Sequence, residues 1–159
     1  RDYLDEATSP LSKEEVMNLV YDVVSGMEYI YSKGVEHRDL KADNVLLDDP
    51  HGELVAKVCD FGLSKCEDLM THISSTSNRG GSIKGTLAWK APEEFDDEPF
   101  SQKSDVYSFA IVIWEIMTRE KPWEGLGASK IIMKVVRGNR PELDETKYEK
   151  LYGVYFNIF

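Results

Sequence analysis

The apolar residues that follow position 12 recur at the spacing of an amphipathic helix. The segment opens with SKEE, in which Ser12 can cap the helix and Glu15 can bond back to the Ser12 backbone. Gly34 then supplies a stop signal. The pattern predicts one long helix over residues 13–33 whose apolar face lies against the core. That face consists of Val16, Leu19, Val20, Val23, Met27 and Ile30.

Two short apolar runs follow this helix, at residues 45–47 and 55–59. The turn-forming sequence DDPHG separates them at residues 48–52. Apolar runs on either side of such a turn predict a small β-hairpin. Residues 60–93 have no clear period, and a segment this long without secondary structure is usually functional or disordered. We therefore expect a hairpin followed by a long irregular segment.

The sequence SDVYSFAIVIWEIMT at residues 104–118 is apolar almost all round. Such a composition predicts a buried helix. A shorter helix is predicted over residues 129–137, where Gly138 closes it. The remainder of the chain, which ends in LYGVYFNIF, shows no clear period and predicts no element.

The overall composition limits the kinds of molecule that we expect the protein to bind. Of 159 residues, 42% are hydrophobic and 30% are charged, a mixture typical of one soluble globular domain. The net charge of −10 argues against binding to nucleic acid or anionic membranes, because both need basic patches. No apolar run approaches the length of about 18 residues that a membrane span requires. The two cysteines lack metal-binding spacing, so we expect free thiols in a reducing compartment and a cytoplasmic protein.

The stretch GVEHRDLKADNVLLD at residues 34–48 concentrates polar side chains that suit phosphoryl transfer. That reaction needs a group to orient the attacking hydroxyl, a cation to offset phosphate charge and hard oxygens to hold a divalent metal. Asp39 is the candidate base and Lys41 the candidate cation. Asn44 and Asp60 are candidate metal ligands, because the hairpin between them would bring them together. The alternative is that this charged run is only a solvated loop.

Four short motifs lie in a fixed order along the chain. They are HRDLKADN at residues 37–44, DFG at 60–62, APE at 91–93 and SDVYSF at 104–109. In this order and spacing they resemble the eukaryotic protein kinase family, as its catalytic loop, metal-binding triplet, activation-segment end and central buried helix. The resemblance implies an α+β, protein-kinase-like fold, with a mainly helical large lobe and a small β-hairpin.

The resemblance also implies roles at the site. Asp39 and Lys41 would be the catalytic residues, and Lys41, Asn44 and Asp60 would bind ATP. Asn44 and Asp60 would in addition hold Mg²⁺. The partners would be ATP and proteins that present a Ser or Thr hydroxyl in intracellular signalling.

Other matching positions would have structural roles. His37 would be a structural link toward Phe61, and Gly62 would give the backbone freedom beside Asp60. Asp105, at the start of the central helix, would brace the backbone of the catalytic loop.

Arg38 implies regulation by phosphorylation. A phosphate on the 60–93 segment could pair with Arg38 and order that segment. The alternative is that the hydroxyl residues of the segment are ordinary polar loop residues. The candidates are Ser74, Ser75, Thr76, Ser77 and Ser82.

Several residue choices resemble kinases directed at Ser and Thr, in the tyrosine-kinase-like group. Lys41 follows Asp39 by two positions, as in Ser/Thr-directed members, and Trp89 is typical of the group. Thr86 could hydrogen-bond to Asp39 and Lys41. Lys90 departs from the family pattern, which usually has an apolar residue there.

The resemblance covers only part of a kinase domain. We expect residues 1–140 to form most of the large lobe and residues 141–159 to form a divergent tail, with the small lobe absent and the last helices truncated. Glu93 pairs in the family with a late arginine, whereas the last arginine here is Arg140. Because the small lobe that clamps the nucleotide would be missing, we expect this chain by itself to be inactive as a kinase. The alternative function is that of a catalytically inactive chain that binds other proteins or has no independent role.

Overall fold

The computed structural model of the chain describes residues 1–6, 11–49, 53–60, 86–96 and 100–144, together with the backbone of residues 65–66. The described helices are α1 (Asp2–Glu6), α2 (Lys13–Ser32), α3 (Gln102–Thr118) and α4 (Ala128–Val136). The described strands are β1 (Val35–Glu36), β2 (Val45–Asp48), β3 (Val55–Val58) and β4 (Lys65–Cys66). Long helices with small antiparallel sheets form an α+β architecture.

Helix α2 begins where its capping box predicted. The Ser12 hydroxyl accepts a hydrogen bond from the Glu15 amide at 3.2 Å, and the Glu15 carboxylate accepts one from the Ser12 amide at 2.7 Å. These two bonds satisfy amide groups that the first turn leaves unpaired. The helix ends at Ser32, one residue before the predicted end, and Gly34 has a positive φ of 66° that turns the chain into β1.

The predicted hairpin is confirmed as strands β2 and β3. They pair antiparallel, with Val45 opposite Val58 and Asp48 opposite Val55. Helix α2 packs against β3 at Gly26, where an added Cβ would lie 3.1 Å from Cγ2 of Val58. The glycine therefore allows the helix to approach the hairpin closely. The turn residues 50–52 lie outside the described residues.

A second small sheet corrects the prediction of an irregular segment over residues 60–93. Strand β4 pairs antiparallel with β1, so that Val35 lies opposite Cys66 and Glu36 lies opposite Lys65. Leu87–Trp89 and Pro92–Phe95 form short 3-10 helices in the same segment. Strands of two residues have no period that a sequence pattern can display, because their pairing depends on tertiary contacts.

Helix α3 is the buried helix that the apolar run predicted. It begins at Gln102, two residues earlier than expected, because the Ser101 hydroxyl caps it by accepting a 3.2 Å hydrogen bond from the Lys103 amide. It packs against α2 in one core cluster. Four polar side chains of α3 are buried as well. They are Ser104, Asp105, Ser108 and Glu115.

Helix α1 was not predicted, because five residues are too few to show a period. Two arginines fix it to the end of α3. Arg1 donates to the carbonyl of Arg119 at 3.0 Å, and Arg119 donates to the carbonyl of Leu4 at 2.7 Å. Leu4 is buried in the core cluster, so α1 packs as part of the fold.

The last described residues pack against the helices. The indole of Trp114 donates to the carbonyl of Glu142 at 2.9 Å, and Leu143 packs against the core. Helix α4 spans residues 128–136, one position earlier than predicted, and Gly138 follows it with a positive φ of 83°. Residues 145–159, most of the predicted tail, lie outside the described residues.

Candidate active site

The loop between β1 and β2 is fixed to the first turn of α3 by Asp105. Its carboxylate accepts hydrogen bonds from the amides of His37 at 2.8 Å and Arg38 at 2.9 Å. Burial raises the pKa of Asp105 above its ordinary value, although the bonds from Arg38 and His37 and the Tyr31 hydroxyl oppose that shift. Arg38 has a positive φ of 70°, which is unusual for a residue other than glycine. Asp105 thus holds a strained backbone immediately before Asp39.

Three predicted site residues meet directly after this turn. The ammonium group of Lys41 lies 3.0 Å from Oδ2 of Asp39. The side-chain amide of Asn44 donates to the same oxygen at 3.2 Å and to the Asp39 carbonyl at 2.7 Å. The side chain of Asp39 retains 13% exposure, so its carboxylate is oriented by two donors and still reaches the surface.

The hairpin places Asp60 next to Asn44. The Cys59 amide donates to the Asn44 carbonyl at 2.9 Å, which extends the Val45–Val58 register by one residue pair. Asp60 follows at once, exposed and with a positive φ of 62°. The amide nitrogen of Asn44 is turned toward Asp39. An amide oxygen and a carboxylate are hard ligands, a donor set that fits Mg²⁺.

His37 is fully buried behind this cluster. The Asp39 amide donates to Nδ1 of His37 at 3.3 Å, so that Nε2 carries the hydrogen and donates to the Cys59 carbonyl at 3.0 Å. The ring thereby joins the Asp39 turn to the strand that leads to Asp60. Its predicted partner Phe61, and Gly62 beside it, lie outside the described residues.

Arg38 has partners within its own loop. Its guanidinium bonds to the carboxylate of Glu36 and lies over the ring of Phe100, with 5.0 Å between Cζ and the ring centroid. The hydroxyl residues predicted as phosphorylation sites, between positions 74 and 82, lie outside the described residues.

Thr86 lies at the edge of the described residues. Its bonds to Asp39 and Lys41 stay a prediction, and Lys41 is bonded to Asp39. Thr86 precedes the 3-10 helix Leu87–Trp89, and its side chain does not cap that turn.

The segment around APE is fixed by polar contacts of its own. Glu93 accepts a 2.9 Å hydrogen bond from the hydroxyl of Ser104 on α3. Lys90, the departure from the family pattern, forms a 2.8 Å ion pair with Glu94. Glu94 also accepts from the Ala91 amide at 2.9 Å. Lys90 is therefore accommodated by an acidic partner one turn away.

Glu115, a fully buried carboxylate on α3, was not predicted from the sequence. It accepts hydrogen bonds from the Trp89 indole at 2.7 Å, the Ala42 amide at 3.1 Å and the Arg1 guanidinium at 3.1 Å. Burial raises the pKa of Glu115, and the bonds from Trp89 and Ala42 oppose that shift. The detectable signal was an acidic residue within the apolar run IVIWEIM of this helix, because a buried carboxylate needs partners.

Comparisons with known proteins agree with this geometry. Residues 1–157 match the family model described as protein tyrosine and serine/threonine kinase. The chain is 38% identical over 131 residues to the serine/threonine-protein kinase CTR1 of Arabidopsis thaliana, which covers 81% of the chain and 15% of that protein. It is 42% identical over 134 residues to the Arabidopsis serine/threonine/tyrosine-protein kinase HT1, which covers 84% of the chain and 32% of that protein.

A tyrosine kinase is among the relatives as well. The tyrosine-protein kinase csk-1 of Caenorhabditis elegans is 38% identical over 136 residues, covering 85% of the chain and 24% of that protein. The chain thus spans less than a third of the length of each of these three relatives. The family match over almost the whole chain, together with the Asp39, Lys41, Asn44 and Asp105 arrangement, confirms the predicted resemblance. The chain belongs to the protein tyrosine and serine/threonine kinase family.

Proposed function

We propose that this protein transfers the γ-phosphate of ATP to Ser or Thr hydroxyl groups of other proteins. The observation that carries the proposal is the Asp39 carboxylate, oriented by Lys41 at 3.0 Å and by Asn44 at 3.2 Å on a loop that Asp105 holds. Such positioning is the main protein contribution to phosphoryl transfer, which demands little covalent chemistry from the enzyme.

Asp39 has the central role in the proposed reaction. Its carboxylate orients the substrate hydroxyl and accepts its proton, while the hydroxyl oxygen forms a bond to the γ-phosphorus. The bond between that phosphorus and its bridging oxygen breaks, and ADP leaves. Lys41, already beside Asp39, offsets the negative charge of the transferred group.

Asn44 and Asp60 are the proposed ligands for Mg²⁺. Their oxygens are hard ligands, and the proposal is supported by the hairpin register, which sets Asn44 opposite Cys59, the residue before Asp60. The bound ion would neutralise part of the phosphate charge. The bond from Asn44 to Asp39 fixes the Asn44 side chain relative to the base.

The preference for Ser and Thr is supported by Lys41. A lysine two positions after the base is a feature of Ser/Thr-directed kinases, and here its ammonium group contacts the base. By their names, the relatives include a Ser/Thr kinase, a Ser/Thr/Tyr kinase and a tyrosine kinase. Peptides that differ only in Ser, Thr or Tyr at the acceptor position therefore test this part of the proposal.

The protein is further proposed to act in the cytoplasm. The need for ATP and the free thiol of Cys59 support that location. Within the described residues, no helix combines the length and the apolar character of a membrane span.

The test is phosphate transfer from radiolabelled ATP to these peptides, with Mg²⁺ present. Asp39→Asn should lower the rate by about 10²–10⁴-fold, because it removes the acceptor of the hydroxyl proton. The matched control is Asp48→Asn, which removes an exposed carboxylate that forms an ion pair with the exposed Lys57 on the same hairpin. Equal rates for the wild type and Asp39→Asn would reject the assignment of the base.

A further inference from the structure

The guanidinium of Arg38 is hydrogen-bonded to the carboxylate of Glu36, the last residue of strand β1. Oε2 of Glu36 accepts from Nε of Arg38 at 3.0 Å and from Nη2 at 2.5 Å. Both side chains are largely covered, with 22% of Arg38 and 17% of Glu36 exposed. The ring of Phe100 covers the guanidinium face. Arg38 is thus paired on one edge and stacked on one face.

The Glu36 carboxylate accepts from the same N–H groups of Arg38 that would bind a phosphate. Arginine binds phosphate through its parallel N–H groups in charge-assisted hydrogen bonds, and a carboxylate binds it with the same geometry. A phosphate with its charge of about −1.5 to −2 would approach a guanidinium that already has an anionic partner. It would have to displace Glu36 or be repelled by it.

Glu36 also lies at the junction between the catalytic loop and the segment that follows Asp60. It belongs to β1, where it is opposite Lys65 of β4 in the antiparallel register. One residue later, His37 and Arg38 turn onto Asp105. An ion pair at this point therefore holds together the strand, the strained turn at Arg38 and the approach to Asp39.

We propose that Glu36 is a resident anion for Arg38 and a positioning residue for Asp39. It takes the place of a phosphorylated side chain, so the loop keeps its geometry without phosphorylation of the segment between Asp60 and Glu93. The sequence alone predicted a different arrangement, in which Arg38 pairs with a phosphate on the 60–93 segment. The consequence for catalysis rests on the proposed function, whereas the occupancy of Arg38 does not.

The first experiment measures that occupancy without any enzymatic reaction. The NMR signal of the Arg38 Nε–H group is followed in the purified protein during titration with inorganic phosphate, and Arg38→Gln identifies the signal. In the wild type, we expect a signal typical of a paired guanidinium with little response to phosphate. In Glu36→Gln, phosphate should bind about tenfold more tightly, because the competing charge-assisted pair is gone.

Two matched variants sharpen the comparison. Glu36→Asp keeps the charge and should keep most of the wild-type resistance to phosphate. Asp48→Asn makes the same charge change as Glu36→Gln at a remote ion pair and should behave as the wild type. Wild-type protein that binds phosphate at Arg38 as tightly as Glu36→Gln would overturn the proposal. If Glu36→Gln does not fold, the wild-type titration decides alone, since strong phosphate binding there has the same meaning.

The second experiment addresses the catalytic consequence. Wild-type protein is treated with a phosphatase, and its transfer rate is compared with that of untreated protein. We expect the rate to change less than about twofold, while Glu36→Gln should lose most of its activity on the same treatment. A wild type inactivated by the phosphatase would contradict the proposal. Absence of transfer before treatment would count against the proposed function, and the titration would still decide the role of Glu36.

Discussion

The indole nitrogen of Trp89 donates a 2.7 Å hydrogen bond to the carboxylate of Glu115. This bond joins the segment just before APE to the last turn of the buried helix α3. The same carboxylate accepts from the Ala42 amide in the catalytic loop. One buried side chain therefore fixes two loops that lie far apart in the sequence. Substitution of Glu115 consequently tests both loops at once.

Replacement of Glu115 by leucine should destabilise the fold strongly. It leaves the Trp89 indole, the Ala42 amide and the Arg1 guanidinium without their acceptor. Removing one partner of a buried pair typically costs about 3–5 kcal/mol. Urea unfolding of Glu115→Leu measures the loss, and the exposed Glu124→Leu is the control. A Glu115→Leu variant as stable as the wild type would show that these three contacts contribute little.

The stability difference between the wild type and Glu115→Gln should depend on pH. Burial raises the folded-state pKa of Glu115 above its ordinary value of 4.5. The folded state therefore binds the proton more tightly than the unfolded state does. Relative to Glu115→Gln, the wild type should be most stable below pH 4.5. This difference in the free energy of unfolding should fall as the pH rises through the raised pKa, and it should stay constant at higher pH. Urea titrations at several pH values check this, and a difference that grows with pH would mean that the pKa is lowered.

Asp105→Asn should loosen the catalytic loop at two specific amides. Asparagine has one side-chain acceptor, whereas Asp105 accepts from the amides of both His37 and Arg38. An unpaired buried amide costs about 1–3 kcal/mol, which corresponds to about 5- to 150-fold faster local hydrogen exchange.

The reciprocal variant provides the control for this measurement. Asp22 accepts a 2.9 Å hydrogen bond from the Ala56 amide on β3. Asp22→Ala, which removes the acceptor altogether, should accelerate exchange at Ala56 and leave His37 and Arg38 as they are, and Asp105→Asn should do the reverse. Equal acceleration at all three amides in Asp105→Asn would indicate global destabilisation instead.

Ser12→Ala should weaken the start of helix α2. The substitution removes the hydroxyl that accepts from the Glu15 amide, and loss of such a cap costs about 1 kcal/mol. Ser32 offers a matched control at the other end of the helix, where its exposed hydroxyl donates only to the Tyr29 carbonyl. Ser32→Ala should change the free energy of unfolding by less than about 0.5 kcal/mol. Equal effects of both variants would remove any special role for the cap.

Features carried by local pattern were predictable from the sequence. The capping box of α2, the paired apolar runs of β2 and β3 and the apolar run of α3 each contain their own signal. The hairpin predicted between Asn44 and Asp60 is confirmed, whereas their joint binding of a metal stays a prediction. The family match confirms the protein-kinase-like α+β fold that these elements imply.

Features that depend on distant partners were not predictable. Glu36 and Arg38 are two residues apart, yet their bond requires the positive φ at Arg38 that Asp105 supports. The pairing of β1 with β4 involves two residues on each strand.

The buried polar residues of α3 determine how a movement of this helix affects the rest of the site. Asp105 sets the turn before Asp39, Glu115 sets Ala42 and Trp89, and Ser104 sets Glu93. Each of these segments is thus fixed to the same buried helix. A small rotation of α3 would therefore displace all of them at once.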